Sequence, residues 1–340
     1  MKNVLKYLLV FTIISTIITY FGLSILDNYI YKLGQSSYVE TNKSDYSSKI
    51  MEKIKLEDDI EDLQFAYNNK YYTYLKDSKV YINYTENGEN YSVIEDENDI
   101  CYFKLLYDKN LIIYITATEY SSSRTQLDIK TYDIETKRQN EYNTFYVNYF
   151  SKVKDMNMSP LINIIYINVE TKSTYYTNNI IYRVDLFNSM SQVKSNLIVN
   201  NMIMLQKTDR IYYEDEDYNI YLSSNYWSMF KIDVEMIGID QNDYLYFIDK
   251  DTHSMVYIVS GYNIIDTIKL NDTGVVKTYT NNIGVYIIYP TYVINVASAN
   301  PYERIGRVSK YVEFEAIKGD VMYLRTKDNI LVTTKIKVSD

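Results

Sequence analysis

The chain has 340 residues, a formal net charge of −9 and an apolar fraction of 46%. That apolar share excludes an intrinsically disordered protein. The acidic balance, with no basic stripe interleaved with aromatics, excludes a nucleic-acid binder. A lone cysteine, Cys101, excludes an internal disulfide framework; it sits in the apolar run "DICYFKLLY" and reads as a buried, inert thiol.

The amino-terminal stretch is uncharged from Tyr7 to Leu26, twenty residues that match the hydrocarbon core of a bilayer at helical rise. Lys2 and Lys6 precede it and Asp27 follows it, so the positive-inside preference predicts a cytoplasmic tail of residues 1–6, an anchor over 7–26 and an exported remainder. A cleaved signal peptide is the rival, but "FGLSILD" is a poor cleavage site. The expected location is therefore the plasma membrane, single-pass, with the bulk of the chain extracytoplasmic. Residues 27–48 are polar and rich in Ser, Thr and Asn, which predicts a tether.

From residue 49 onward the chain is predicted to be all-β. Tyrosine supplies 41 residues, glycine 9 and proline 3. Aromatic and β-branched side chains suit pleated, half-buried surfaces, so turns must be built mainly from Asn, Asp and Ser. Part of the Tyr, Asn, Ile and Lys excess also fits an AT-rich genome. A unit of strand, polar turn, alternating second strand, tight turn and third strand recurs, first as "LQFAYNNKYYTYLKDSKVYINY" from Leu63 and last as "YVEFEAIKGDVMYLRTKDNILVTTKIK" from Tyr311. Tyr72, Ile113, Ile165, Tyr212, Tyr246, Tyr286 and Met322 take equivalent second-strand positions. Their spacing averages about 42 residues, ranging from about 34 to about 52, which is the period of a four-stranded propeller blade. A sandwich would have no reason to repeat one unit seven times. The prediction is a β-propeller of about seven blades, six to eight, over 49–340. Its final unit holds only three strands. "KIMEKIKLE" (Lys49–Glu57) would close the ring as the missing outer strand, unless it forms a short amphipathic helix.

Candidate sites are few. His253, the only histidine, lies in "KDTHS", the turn between second and third strands, equivalent to "KDSK", "EDEDYN" and "TKDN"; it reads as turn punctuation. Asp215, Asp217 and Asn219 match the opening of a calcium loop, but Ile220 stands where that loop needs glycine and Tyr226 where it needs glutamate. Calcium is thus the one cofactor with any signal, and a weak one. No Gly-x-Ser-x-Gly elbow, phosphate-cradling loop or His/Cys cluster appears. "SSNYWSMF" offers Tyr226, Trp227 and Phe230 as an aromatic contact for a partner, against the plainer reading of outer-strand packing.

The repeat pattern over residues 50–340 resembles the bacterial extracytoplasmic β-propellers with degenerate blade repeats, although it lacks the Gly-His and Trp-Asp signatures of WD40 blades. The resemblance implies a fold and little about activity. The expected function is a membrane-anchored, non-enzymatic binding or scaffolding module for a protein or glycan at the cell envelope. The alternative is a hydrolase or lyase that uses carboxylates in its channel on an extracellular polymer.

Overall fold

The computed structural model describes residues 53–340 apart from 107–108, 160–163, 186–188, 224, 228–232, 282–283, 310–311 and 338–340, with backbone alone at 225–227. The chain divides into the units Met1–Ser48 and Lys49–Asp340. The predicted tail, anchor and tether lie outside the described residues. Among the described residues no helix is long and apolar enough to cross a membrane.

The described residues form seven antiparallel four-stranded sheets, the blades of a propeller. The inner strands are, in order, Glu61–Phe65, Asp99–Leu105, Phe150–Met158, Val199–Met204, Val234–Ile239, Lys277–Asn281 and Val312–Lys318. All seven predicted second-strand positions fall on second strands: Tyr72 in Tyr71–Lys76, Ile113 in Leu111–Ser121, Ile165 in Ile164–Lys172, Tyr212 in Ile211–Asp215, Tyr246 in Leu245–Asp249, Tyr286 in Gly284–Ile288 and Met322 in Val321–Thr326. The four predicted Asp-containing turns each join a second strand to a third.

Burial explains the patterning. A blade packs both its faces on neighbours, so a second strand is apolar on both sides: Ile211–Asp215 and Gly284–Ile288 are buried throughout. The outer strand Asn263–Lys269 buries only Ile268. Between successive blades lie seven apolar clusters, one per interface around the ring. Tyrosine serves in them because its ring packs while its hydroxyl reaches a rim acceptor. Tyr166 donates to Asp209 at 2.7 Å, Tyr74 to Glu57 at 3.1 Å and Tyr246 to Asp240 at 3.3 Å. Burial of this kind pushes the Tyr72 and Tyr286 phenols up to about 12.

Blade 7 has three strands from the carboxyl-terminal end of the chain, Val312–Lys318, Val321–Thr326 and Ile330–Lys335, and takes its fourth, Ile54–Lys55, from the other end of the domain. Ile54 pairs with Leu331 and Lys55 with Ile330, and the Leu56 amide donates to the Asn329 carbonyl at 2.7 Å. Closure therefore occurs as expected, but the strand is two residues long; Met51 and Glu52 lie outside the described residues. Leu56 is 2% exposed and packs with Tyr74, Tyr323 and Leu331 across the blade 7–blade 1 interface. Leu56→Ala is expected to lower unfolding free energy by about 2–4 kcal/mol, read from urea denaturation. A loss below about 1 kcal/mol would mean that the ring does not depend on this strand.

Candidate functional site

An inner strand has a ladder on one side only, so part of its backbone must find partners off the sheet. Side chains of neighbouring blades supply them. Gln64 bridges blades 1 and 2, donating to the Phe103 carbonyl at 3.2 Å and accepting from the Leu105 amide at 2.8 Å. Lys104 donates to Asp155 at 3.1 Å and to the Met156 carbonyl. Asn157 donates to the Met202 carbonyl at 2.9 Å, Asn201 to that of Met236 at 2.6 Å, and Asn281 to that of Ile317 at 2.9 Å. Thr280 reaches back to the Ile237 carbonyl at 2.8 Å, and Asn69 closes the circuit on the Lys318 carbonyl at 3.1 Å.

These bonds ring a cavity of about 450 Å³ at the carboxyl-terminal ends of the inner strands, to which every blade contributes. Its wall is largely apolar, with Leu106, Met156, Met158, Ile203, Met204 and Ile239 among the lining residues. Three charged side chains line it: Lys104, Glu315 and Lys318. Glu315 lies 2.6 Å from the Arg325 guanidinium, and Lys104 is paired with Asp155. Lys318 has no carboxylate within ion-pair distance among the described residues, and burial pulls its ammonium down to about 8. Glu315 is the only carboxylate among the lining residues, so the paired acids that a channel hydrolase needs are not assembled among them.

A second feature stands at the opposite end, where inner strands begin. Blades 2 and 3 are taller than the rest. Blade 2 continues from its inner strand with Leu111–Ser121, Arg124–Asp133 and Arg138–Asn148, of 11, 10 and 11 residues, and blade 3 with Ile164–Lys172, Thr177–Asp185 and Met190–Leu197. Their extra length carries a ridge of exposed tyrosines: Tyr120, Tyr146, Tyr149, Tyr175 and Tyr176, with Tyr175 92% exposed. The Arg124 guanidinium lies 4.4 Å from the Tyr146 ring centre, and Tyr120 meets Tyr146 edge-on at 5.3 Å. Tyr149 is the single residue linking the two blades. Its φ is +54°, rare for a bulky residue, and it is fixed by its amide on Ser123 and its carbonyl under Lys172, both at 2.8 Å.

The residues singled out in the sequence lie elsewhere. His253 occupies the left-handed turn position at φ +49°, its amide on the Asp249 carbonyl at 3.0 Å. The Asp215 carboxylate accepts from the Asp217 and Asn219 amides at 3.0 and 2.8 Å and from the Tyr221 hydroxyl at 3.1 Å. Asp240 repeats this geometry with Asn242, Tyr244 and Tyr246, so Asp-x₃-(Asn/Tyr)-x-Tyr is a recurring turn signature, and it spans the residues that match the opening of a calcium loop. Among the described residues no three His, Cys, Asp or Glu side chains converge as a metal site. Tyr226 and Trp227 belong to the outer strand of blade 4, opposite Tyr221 and Ile220; their side chains, and all of Phe230, lie outside the described residues. The Cys101 thiol is pushed up to about 12 by burial.

No family model matches the chain, and no curated protein does. Solved structures do match, 510 chains in all. Hsv2 of Kluyveromyces lactis aligns with a TM-score of 0.51 at 12% identity, over 83% of this chain and 94% of that one. The acylaminoacyl peptidase of Pyrococcus horikoshii aligns with a TM-score of 0.51 at 11% identity, over 78% of this chain and 49% of that one, so this chain spans about half the peptidase. At such identities the likeness is one of fold. The protein is a seven-bladed β-propeller.

Two substitutions test the inner ring. A Cβ at Gly238 would lie 1.9 Å from the Thr280 hydroxyl. Gly238→Ala is expected to cost about 1–3 kcal/mol in urea denaturation, much of it restored by adding Thr280→Ala. Glu214 is 1% exposed and accepts from the inner-strand Met236 amide at 2.8 Å, and burial pushes its carboxyl up to about 7. Between the unfolded value near 4.5 and about 7 the fold holds a proton that the unfolded chain has released, so this group's contribution falls as pH rises through that window. Glu214→Gln is expected to melt with wild type at pH 4 and above it at pH 7.5, by circular dichroism. A constant difference across that range would contradict this assignment.

Proposed function

We propose that this chain is a membrane-anchored binding or scaffolding module that presents the tyrosine ridge of blades 2 and 3 to a protein or glycan partner at the cell envelope. The observation that carries the reading is the ridge itself. Five exposed tyrosines and Arg124 cluster at the tips of the two tallest blades. Tyrosine and arginine are the side chains that make large contacts at low entropic cost, and monomeric surfaces rarely gather them without use. The strained Tyr149 fits the same reading, because such backbone is retained where a side chain must be aimed. The anchor and the outward orientation are read from the uncharged run Tyr7–Leu26 and the lysines before it. The tether of 27–48 would let the domain sample partners near the membrane.

The test is photo-cross-linking in intact cells with full-length protein carrying p-benzoylphenylalanine at Tyr175 or, as a control on blade 6, at Tyr302. Capture of one reproducible protein from Tyr175 alone, lost at least tenfold on adding Arg124→Glu and Tyr120→Ala, is the expected result. Ridge-dependent retention on cell-wall polysaccharide, with no captured protein, would assign a glycan instead. Equal capture from both positions would overturn the assignment of the ridge.

A further inference from the structure

The channel mouth carries an inference independent of the ridge, which lies at the other end of the inner strands. Its ionic accounts close except at one residue. Glu315 is matched by Arg325 and Lys104 by Asp155, while Lys318 meets no carboxylate among the described residues. Lys318 is half-buried, and an ammonium partly withdrawn from water without a counter-charge is costly; burial pulls it down to about 8. Its side chain follows Ala316 on the strand face turned to blade 1, and it lines a cavity of about 450 Å³ whose wall is mainly Met, Ile and Leu. Lys104, one blade beyond, uses two of its three N–H donors on Asp155 and the Met156 carbonyl, which leaves one for a ligand.

We propose that the channel mouth binds a small organic monocarboxylate with an apolar body, its carboxylate held by Lys318 and Lys104 and its body against Met158, Ile203, Met204 and Ile239. One uncompensated positive charge calls for one negative charge. A free phosphate carries close to two negative charges at pH 7 and would call for a second uncompensated cation, which the lining residues do not supply. The apolar wall would give phosphate nothing, whereas flexible methionines adapt to an aryl or alkyl group.

The probes are phenylacetate, its neutral counterpart phenylacetamide and inorganic phosphate, each at millimolar concentration with the full-length protein at pH 7. The readout is melting temperature by circular dichroism. Phenylacetate is expected to raise it by about 2–4 °C, with no shift from phenylacetamide or phosphate. Lys318→Met keeps the length of the side chain and removes its charge. It is expected to melt above the unliganded wild type, which establishes folding, and to lose the phenylacetate shift; Lys318→Arg is expected to keep that shift. An equal shift with phenylacetamide, a shift that survives in Lys318→Met, or no phenylacetate shift in wild type would each overturn the proposal. A Lys318-dependent shift with phosphate would overturn the apolar body.

Discussion

Closure of the ring depends on pairing two residues with two others. Ile54 and Lys55 lie against Leu331 and Ile330, and this short ladder joins the start of the ring to its end. Six of the blades are built from consecutive chain and would form whether or not the ring closed. The seventh interface, between blade 7 and blade 1, would not: its cluster draws on Ile54 and Leu56 as well as Phe65, Tyr72, Tyr323 and Leu331. Glu57 then ties the closing segment to blade 1 through Tyr74 and through Lys76 at 2.7 Å. An exposed pair is worth little by itself, so closure rests on the apolar contact and the ladder. Without it, two sheet edges would face water and invite association.

Closure in turn fixes the axis. Once the seven inner strands are held around one axis, their unladdered backbone faces its neighbours closely enough for single side chains to bridge. The bridging residues are not of one type: one glutamine, one lysine, four asparagines and a threonine that fills the space left by a glycine. What is kept constant is the function of reaching a carbonyl one blade away. A sequence can drift widely under that constraint, which accounts for repeats recognisable by period and invisible by motif. The same freedom explains the turns. Among the described non-glycine residues with positive φ, Asp59, Asp62, Asp77, Asp243, Asn69, Asn196, Asn329, Ser78 and Ser223 do what glycine does in a glycine-rich chain.

The fold was legible because its strongest signal is additive. Seven weak copies of one pattern outweigh any single strand's ambiguity, and the second strands, buried on both faces, carry it best. The candidate sites were not legible, for two physical reasons. The cavity is made where seven separate strand ends converge, and nothing in the order of residues marks Lys318 as facing it rather than solvent. The ridge is written in tyrosine, as is the core, so exposed Tyr120 and buried Tyr114 look alike within one strand. One trace was present: the longest gap between equivalent positions, about 52 residues from Ile113 to Ile165, is the extra strand length of blades 2 and 3. Trp227, read with Tyr226 and Phe230 as an aromatic contact, has its backbone on the outer strand of blade 4.

The two candidate sites lie at opposite ends of the inner strands, and the architecture argues that they act separately. Each interface is an apolar cluster crossed near the axis by a hydrogen bond, so a blade cannot tilt without losing both. Coupling between sites requires an element with two discrete arrangements, and close-packed interfaces of this kind favour one. The ridge, by contrast, stands above the ring on hairpins that bear no load from closure. Tyrosines there can change without disturbing the seven interfaces, whereas Lys104 and Asn157 cannot, because each both lines the mouth and holds a neighbouring blade. Lys318 is the exception at the mouth: its backbone carbonyl takes the inter-blade bond from Asn69, which leaves its side chain free of structural duty. A charge in that position carries a cost in desolvation and has no part in holding the ring, so a ligand's carboxylate is what would offset it.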